Sequence, residues 1–590
     1  MNTRYLALTI GPVFATLENT RSTKAMWAAS YLFSWIMREI LHDLLKTSGV
    51  QLLNLSYRKK EEAVKVKNGV GLFPDRFVAR LQPDVEVDMK AIAGQVVDGL
   101  AKRMTDDLNA PRKGTEGGPK TPPSPPFELD DVRRFLNDYL RLQAIDFELP
   151  DTEHNPVKVA DAYLNSLELQ APFASLQARE YLGAFLEDLL YNFFIREEFE
   201  QRGFPSTPEI ATDTFREHNA GQYRAAVRNL RDQGDHSSDA ARRQQEAFIE
   251  AVREIAPTRF HLCHKYIAIV RADGDNMGHL FKALLEKDAK AAQRPDNLLP
   301  TSQSSAERLA EHLADFSLAA ANMIRDFGGV PVYAGGDDLL FFAPVSTERL
   351  SEQGKWERRD IFHLLYDLDL LFREKILIGG AVDEATLTAL KADEKGPSIS
   401  YGVSISHHKY PLGESLKKAQ EDLLFQAIKA DDRRNGIAWR VTKHSGTAFG
   451  CVLDKGRPDG VFAVFQQLQQ AKLPIGEQPD HFLASIIYKL KSLEGLFQAT
   501  ADRPNYAGYF YNILFNNFNE GIHRDKDEHG HPKLSAFLEK VHHLLVASFD
   551  ENPQSNDKNP DDKEQRIRQN LDTAYAVLRF IHFLDTGDKS

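Results

Sequence analysis

The 590-residue sequence predicts an α+β protein, with a ferredoxin-like sheet unit in the middle of the chain and an all-helical region at its C-terminal end. Two observations support this fold class. Between residues 266 and 442, apolar strand patterns and amphipathic helix patterns follow one another in the order β-α-α-β-β-α-β-α-β, which is a ferredoxin-like order with additions. Beyond residue 450 the apolar positions recur almost everywhere with helical spacing.

Composition restricts the function classes. The chain is 42% hydrophobic and 27% charged, as soluble proteins are, and at roughly 150 residues per domain it has room for about four domains. Its net charge of −12 argues against a protein whose whole surface coats nucleic acid, while a local basic groove or RNA contacts made by partners stay open. Two cysteines, Cys263 and Cys451, indicate a reducing compartment. The apolar run at the N-terminus is too short for a signal peptide or a membrane span, so we expect a cytoplasmic protein with no membrane partner.

Before the middle unit, the pattern predicts a strand at residues 5–10 and a long helix from about Ser22 to Leu45. A run from 106 to 130 is rich in Pro, Gly and charge, cannot bury a core, and predicts a mobile loop. Helical periodicity returns between Val157 and Phe199. The polar stretch from 231 to 245 fits either an exposed helix or disorder.

The middle unit is predicted element by element from its apolar runs. Two of its strands are separated by Gly-Gly-Asp-Asp at 335–338, which is a hairpin signal. In chain order the predicted elements are a strand at 266–271, a helix from about 276, a helix at 304–327, strands at 330–334 and 339–343, a helix at 356–376, a strand at 398–406, a helix at 412–430 and a strand at 437–442.

Two acidic turns in this unit suggest metal-dependent chemistry. Asp273 and Asp275 follow the first strand, and Asp337 and Asp338 occupy the hairpin tip. Because the strand and the hairpin are neighbours in this topology, Asp273 should approach Asp337 and Asp338 at one edge. Carboxylate oxygens are ligands that Mg²⁺ and Mn²⁺ prefer, and two such ions can activate a ribose hydroxyl and stabilise a leaving pyrophosphate.

The glycines of these turns have a binding interpretation and a structural one. Gly274, Gly335 and Gly336 lack side chains and would let a nucleotide lie against the backbone. Each turn taken alone is equally well an ordinary hairpin or strand-to-helix connection. Asp275 is the weakest candidate, because capping a helix that begins near Asn276 would explain it. Both turns together, in this order, favour a site.

Several motifs together resemble the nucleotide cyclase domain of the large catalytic subunit of type III CRISPR effector complexes, in particular the type III-B (Cmr) branch. In the middle unit these motifs are ADGDNMG (272–278), AGGDDLLFF (334–342), SYGVSISHHKYPL (400–412) and AIKADDRRNGIAWRV (427–441). In the N-terminal part, residues 9–36 and GLFPDRFVARL (71–81) are similar to the opening segment of that family. The matches occur in the family's order across the first 450 residues, so they are more specific than any single motif.

The resemblance implies two ferredoxin-like, nucleotide cyclase-like palm domains with helical insertions and a C-terminal helical bundle. We expect a degenerate first palm at residues 1–200 that contains the 106–130 loop, and a helical linker at 201–260. The active Gly-Gly-Asp-Asp palm would occupy 261–450 and the helical domain 451–590.

The resemblance further implies the catalytic subunit of an RNA-guided antiviral complex, which converts ATP into a nucleotide second messenger when the complex binds target RNA. Asp273 and Asp337 would be metal ligands, and Asp338 would support metal binding or hydroxyl activation. Lys429 and Arg434 lie where the family places basic phosphate contacts, although solvated surface charge explains them equally well. The implied partners are guide RNA, target RNA and other Cmr-type subunits, namely the one that caps the 5′ end of the guide and the small helical one.

Two further residues are weaker candidates. Ser400 and His407 lie in the third quoted motif, and they either border the nucleotide pocket or belong to an ordinary strand face.

Two departures from the family concern domains that relatives carry. Many relatives have an N-terminal His-Asp nuclease domain, whereas here the first palm strand starts within the first ten residues. The pair His42-Asp43 has a helical pattern and no histidine upstream, so we predict no DNase activity. The zinc module of the family is also missing, because His261, Cys263 and His264 lack the usual ligand spacing and have no second half.

The third departure is Asp75, where many relatives have Asn after Pro74. An ordinary surface substitution would explain it. Alternatively its carboxylate binds the amino group or sulfonium of a cationic acceptor. Most family members form cyclic oligoadenylates and some join AMP to S-adenosylmethionine, so S-adenosylmethionine is a candidate co-substrate and Asp75 a candidate residue that binds it.

Two other functions stay open beside the nucleotidyltransferase. A scaffold that organises RNA-bound subunits without catalysis is opposed by the intact Asp273, Asp337 and Asp338. A free-standing cyclase of the GGDEF type is opposed by the N-terminal match and by the helical tail.

Overall fold

The computed structural model describes residues 2–65, 69–109, 126–150, 155–169, 204–232, 238–292, 304–350, 354, 356–380, 382–392, 395–429, 434–470, 479–518, 533–551 and 560–587. Within these ranges it confirms the predicted α+β class, with two separate sheets and a helical C-terminal region. None of the described helices is both long and apolar enough to cross a bilayer.

The first palm is a four-stranded antiparallel sheet in the order β2-β3-β1-β4, formed by β1 (Asn2–Gly11), β2 (Val50–Leu52), β3 (Arg76–Leu81) and β4 (Arg141–Pro150). Its helices are α1 (Val13–Glu18), α2 (Thr23–Leu44), α3 (Tyr57–Lys65), α4 (Met89–Asn109), α5 (Leu129–Tyr139) and α6 (Pro156–Leu169). The predicted strand and long helix of this region are confirmed. Ser22 caps α2 by accepting a hydrogen bond from the Ala25 N–H at 3.1 Å, as a serine before an apolar run is expected to do.

Two predictions in the first part fall partly outside the described residues. Of the predicted loop at 106–130, residues 110–125 are not described, and its first residues are helical because α4 continues to Asn109. Of the helical pattern from Val157 to Phe199, the structure describes the part within α6. The linker contains α7 (Thr207–Ala211), α8 (Phe215–His218), α9 (Ala220–Asp232) and α10 (Ser238–Ile255), so the polar stretch is helical from residue 238 onward.

The second palm is a six-stranded sheet in the order β12-β11-β10-β5-β7-β6, in which the β10–β11 pair is parallel and the other pairs are antiparallel. Its elements are β5 (Tyr266–Asp275), α11 (Met277–Ala292), α12 (Ser305–Asp326), β6 (Val330–Ala334), β7 (Leu339–Pro344), β8 (Ser346–Leu350), β9 (Trp356–Asp360), α13 (Ile361–Phe372), α14 (Glu384–Ala392), β10 (Ser398–His407), α15 (Leu412–Lys417), β11 (Gly436–Thr442) and β12 (Ala448–Asp454). The α13 and α15 helices continue as π-helices over Arg373–Ile378 and Lys418–Lys429.

Two expectations for the second palm are wrong. The helix predicted from Trp356 begins at Ile361, because residues 356–360 pair with β8 as a strand and Asp360 then caps the helix by accepting from the Phe362 N–H at 2.9 Å. The chain does not become helical immediately after residue 450, because strand β12 extends the sheet to Asp454 and crosses the expected domain boundary.

The C-terminal helices pack back onto the second palm. They are α16 (Val461–Gln470), α17 (Pro479–Ser492), α18 (Glu494–Thr500), α19 (Tyr506–Asn517), α20 (Lys533–Asp550) and α21 (Pro560–Asp585). Near the end of the chain, Phe583 packs edge-on against Tyr266 with ring centres 4.9 Å apart, and the Thr586 carbonyl accepts from the Leu262 N–H at 2.9 Å. The last helix therefore supports the first strand of the second palm.

Candidate active site between the two palms

The β5 strand carries three charged residues at its C-terminal end. Arg271, Asp273 and Asp275 alternate along the strand, so they lie on one face of the sheet. On one side β5 pairs with β7, with Ala272 opposite Leu339, and this register brings the two residues before Leu339 alongside the end of β5. The first acidic turn and the hairpin tip therefore meet at one end of the sheet.

The hairpin tip has a fixed backbone. Gly336 has φ +128°, which a side chain would strain, and a Cβ atom on Gly335 would lie 1.7 Å from the Tyr333 hydroxyl oxygen. The buried Ser317 hydroxyl on α12 accepts from the Gly336 N–H at 2.8 Å and lies 3.0 Å from the Gly336 carbonyl oxygen. These contacts hold the turn that presents Asp337 and Asp338.

The three carboxylates of the predicted site crowd one another. Burial, and then the Asp273 carboxylate, raise the pKa of Asp337. Burial also raises the pKa of Asp338 well above its usual value, against the effect of Arg271, whose guanidinium lies 3.5 Å from Asp338 Oδ2. Both aspartates keep part of their surface open although protein atoms surround them. Asp273, Asp337 and Asp338 therefore form an acidic cluster in which the nearby positive charges do not fully offset burial and the repulsion between the carboxylates.

Asp275 has a different environment from the helix cap that we expected. It is fully buried, and its carboxylate accepts from Ser398 and Ser400 at 2.7 Å each and from the Asn435 N–H at 2.8 Å. Its second oxygen lies 2.6 Å from Lys429 Nζ. Burial opposes its charge, yet Lys429 and the hydrogen bonds outweigh burial and lower its pKa. Asp275 is the centre of a satisfied network under the site.

Lys429 connects that network to the acidic cluster. Its Nζ lies 2.6 Å from Asp273 Oδ2 as well as 2.6 Å from Asp275 Oδ1. Arg434 donates to the Lys429 carbonyl at 3.5 Å. The two predicted basic residues are therefore adjacent in space, and Lys429 contacts the predicted metal ligand Asp273 directly.

A cavity of about 330 Å³ lies between the two palms, next to the acidic cluster. The first palm contributes residues of β1, α1, α2, β4 and α6, and the second contributes Arg271, Tyr333, Asp338, Leu340 and Gln420. Asp75 lines the same cavity from the first palm. Asp75 is exposed to solvent, yet desolvation by the surrounding protein atoms raises the pKa of its carboxyl, against the effect of Arg76 and Arg271. Asp75 and the hairpin residue Asp338 thus face one space.

The chemistry of the acidic cluster fits a divalent cation. An oxygen of Asp338, Oδ1, is buried with no hydrogen-bond partner among the described residues. In the part of the chain that the structure describes, no three His, Cys, Asp or Glu side chains are already arranged around one metal position, and Asp273 is drawn instead to Lys429. Hard carboxylate oxygens that repel one another are suitable donors for Mg²⁺ or Mn²⁺, and Asp273, Asp337 and Asp338 are the residues that would hold the ion.

Other histidines and a cysteine that the sequence singled out lie away from the acidic cluster. His407 is at the end of β10 opposite Ser400, beside Tyr266, so it does not border the acidic cluster. His42 contacts the Tyr57 hydroxyl at 3.2 Å on helix α2, as its helical pattern predicted. His264 and Cys263 are buried, and His264 Nδ1 accepts from the His261 N–H at 2.9 Å. This contact stabilises the turn that precedes β5, which is a structural role.

Comparisons with known proteins match two parts of the chain. Residues 266–438 match the model of the Cas10/Cmr2 second palm domain, and residues 5–108 match that of the N-terminal part of the CRISPR-associated protein Cmr2. The chain thus contains a Cas10/Cmr2 second palm domain and a Cmr2 N-terminal segment. The Cas10/Cmr2 second palm domain has a nucleotidyltransferase-like fold.

Individual members of the Cas10/Cmr2 family are distant in sequence. The Cmr2 subunit of the CRISPR Cmr system of Pyrococcus furiosus is 24% identical over 194 residues, a match that covers 31% of this chain and 19% of that protein. A chain of the type III-B Cmr-β complex in its apo state has a TM-score of 0.51 at 11% identity, covering 88% of this chain and 77% of that one. The same complex bound to cognate target RNA gives a TM-score of 0.50 at 11% identity, covering 89% of this chain and 78% of that one. These structural likenesses show the fold.

Three residues of the second palm that shape the site, Arg271, Ser317 and Tyr333, were not predicted from the sequence. Arg271 could have been found, because it stands two positions before Asp273 in a strand and must share its face. Ser317 and Tyr333 gave no signal, since each resembles an ordinary helix or strand residue until the hairpin is folded against it.

Proposed function

We propose that this chain is the catalytic subunit of an RNA-guided type III-B complex, in which the second palm transfers AMP from ATP when the complex binds target RNA. The observation that supports this most strongly is the meeting of Asp273, Asp337 and Asp338 at one end of the second-palm sheet, where Asp338 also lines a cavity between the two palms. Adjacent strands hold these carboxylates, and the hairpin that carries two of them has a fixed backbone.

The proposed reaction is a substitution at the α-phosphorus of ATP. A ribose 3′-hydroxyl of the acceptor forms the new P–O bond, the bond to the β-phosphate breaks, pyrophosphate leaves, and the hydroxyl proton passes to a carboxylate of the acidic cluster. Bound Mg²⁺ or Mn²⁺ would increase the acidity of the hydroxyl and offset the charge of the leaving pyrophosphate. Lys429 would turn from Asp273 toward a phosphate oxygen, and Gly274, Gly335 and Gly336 would allow close approach of the nucleotide.

The cavity also suggests what the acceptor is. Its first-palm wall contains the carboxylates Asp75 and Glu168 beside Arg141 and Gln143. Carboxylates oppose a second triphosphate but suit an ammonium or sulfonium group, and an arginine suits a carboxylate. This combination of charges favours S-adenosylmethionine as the acceptor over another ATP, which would give the cyclic oligoadenylates that are the other candidate product.

The proposed partners follow from the family. They are the other Cmr-type subunits, including the subunit that caps the 5′ end of the guide and the small helical subunit, together with guide and target RNA. A net charge of −12 suits a subunit whose RNA is held largely by those partners.

Product identification tests this proposal. The assembled complex is incubated with target RNA, ATP, S-adenosylmethionine and Mg²⁺, and the products are identified by mass. We expect an AMP conjugate of S-adenosylmethionine from the wild type, and much less of it from Asp75→Asn, with exposed Asp84→Asn as the matched control. Oligoadenylates as the sole product would remove the role of Asp75, and no nucleotide product at all would contradict the catalytic assignment.

A further inference from the structure

A short segment of the first palm joins the sheet of the second. Residues 69–73, here called the connecting segment, run beside the edge strand β6. Gly71 forms a parallel bridge with Tyr333, and its carbonyl accepts from the Ala334 N–H at 2.9 Å. Ser30 of α2 lies 3.2 Å from the Val332 carbonyl and donates to it. The strand that leads directly into Gly335-Gly336 is therefore bonded to the first palm.

The other edge of the connecting segment is anchored within its own palm. The Ser34 hydroxyl accepts from the N–H groups of Leu72 and Phe73 at 3.0 and 2.9 Å. The Trp27 indole donates to the Gly69 carbonyl at 3.1 Å. The remaining anchor is Lys60, whose ammonium donates to the Leu72 carbonyl.

Lys60 is an unusual choice for this contact. Its side chain is buried, with 3% exposure, and its hydrogen bond goes to a neutral carbonyl. Burial lowers the pKa of Lys60 to about 7, and the carboxylate whose charge favours its protonated form is Asp337. The neighbouring Lys59 is half-exposed and pairs with Asp315 at 3.0 Å, as lysines usually do. Burying a lysine costs stability. Its place beside the hairpin is explained if Lys60 serves to hold the connecting segment in position.

Leu72 stands in the chain between a residue that bonds the second palm, Gly71, and a residue of the first-palm cavity wall, Asp75. The residue before it is bonded to β6 and so to the hairpin of the second palm, and Asp75 lies three positions after it in the first-palm wall. A displacement of the Leu72 carbonyl would therefore move the hairpin relative to Asp75.

We propose that Lys60 is a positioning residue, which fixes the connecting segment and thereby sets the distance between the Gly335-Gly336 hairpin and the acceptor wall at Asp75. This inference rests on the proposed function for its kinetic consequence, although the contact itself does not. Lys60 touches neither substrate nor the reacting atoms, so it acts through Leu72.

The test replaces Lys60 with the isosteric Met in the assembled complex. We expect kcat to fall by about tenfold or more, because a shift on the order of 1 Å can cost about a hundredfold in rate, while the KM for ATP changes by less than about threefold. Hydrogen exchange should accelerate at Ala334 and Gly336 but not in the C-terminal helices, which separates positioning from general destabilisation. Lys59→Met, which breaks a half-exposed ion pair, should leave both readouts unchanged.

Ser34→Ala provides a second and smaller perturbation of the same segment if Lys60→Met does not fold, and it should change kcat and exchange in the same direction. Wild-type kcat together with wild-type exchange at Ala334 in the variant would overturn the inference. If the wild type itself makes no product, the proposed function fails, and the exchange at Ala334 still decides whether Lys60 positions the hairpin.

Discussion

The carboxylate of Asp337 lies directly against the backbone of Gly274. A Cβ atom at position 274 would come within 2.2 Å of Asp337 Oδ2 and 2.7 Å of its Cβ. Gly274 therefore matters to the site because it has no side chain, which leaves room for the carboxylate of Asp337 from the neighbouring hairpin. The first acidic turn supplies this space as well as the charge of Asp273. This contact fixes how closely Asp337 approaches Asp273.

Gly274→Ala should therefore abolish the site without unfolding the sheet. The added methyl group displaces the Asp337 carboxylate, and we expect AMP transfer to fall by tenfold or more, measured as turnover in the assembled complex. Gly278→Ala is the control, since a Cβ there meets nothing within 4 Å. It should keep full turnover and add about 0.5–1 kcal/mol of helix stability. Equal turnover of the two variants would contradict the proposed geometry.

Asp337→Asn should stabilise the protein while it inactivates the site. Since the pKa of Asp337 is raised, the native state binds more protons than the unfolded state between the ordinary and the raised value, and stability falls as pH rises through that window. The neutral amide removes this penalty. We expect a higher melting temperature than wild type at pH 7.5, a difference that shrinks near pH 4, and a smaller stabilisation by Mg²⁺. A lower melting temperature at pH 7.5 would count against a repulsive acidic cluster.

Asp275→Asn should have the opposite effect on stability. The pKa of Asp275 is lowered, so its contribution is present above the ordinary carboxyl pKa and is lost as pH falls through the lowered one. Removing the charge breaks a buried pair with Lys429, which costs about 3–5 kcal/mol. Urea unfolding at pH 7.5 measures this loss. A change of less than about 1 kcal/mol would mean that Lys429 is satisfied without Asp275.

Ser317→Ala should loosen the hairpin. The hydroxyl bonds both polar backbone groups of Gly336, and an unsatisfied buried N–H costs about 1–3 kcal/mol. We expect lower stability by that amount and reduced turnover. Ser492→Ala removes an exposed serine that bonds the Lys489 carbonyl and should change neither quantity. Wild-type turnover in Ser317→Ala would show that the turn holds itself.

The sequence predicted local features well and misjudged those that depend on distant contacts. The strand at Val330–Ala334 and the helix capped by Ser22 follow from spacing and capping chemistry, and both are found. Asp275 was underestimated because its partners, Ser398, Ser400 and Lys429, are more than a hundred positions away. Lys60 stands in a charged run typical of a solvated helix, and only the packing of the two palms buries it. The cavity was likewise unpredictable, because it is formed by two domains.

The proposed AMP transfer is tested best by pyrophosphate release from the assembled complex with ATP, S-adenosylmethionine, Mg²⁺ and target RNA, comparing the wild type with a variant carrying Asp337→Ala and Asp338→Ala. We expect the wild type to release pyrophosphate only when target RNA is present, and the variant to release none. Full release by the variant, or none by the wild type, would show that the acidic cluster of the second palm does not catalyse this reaction.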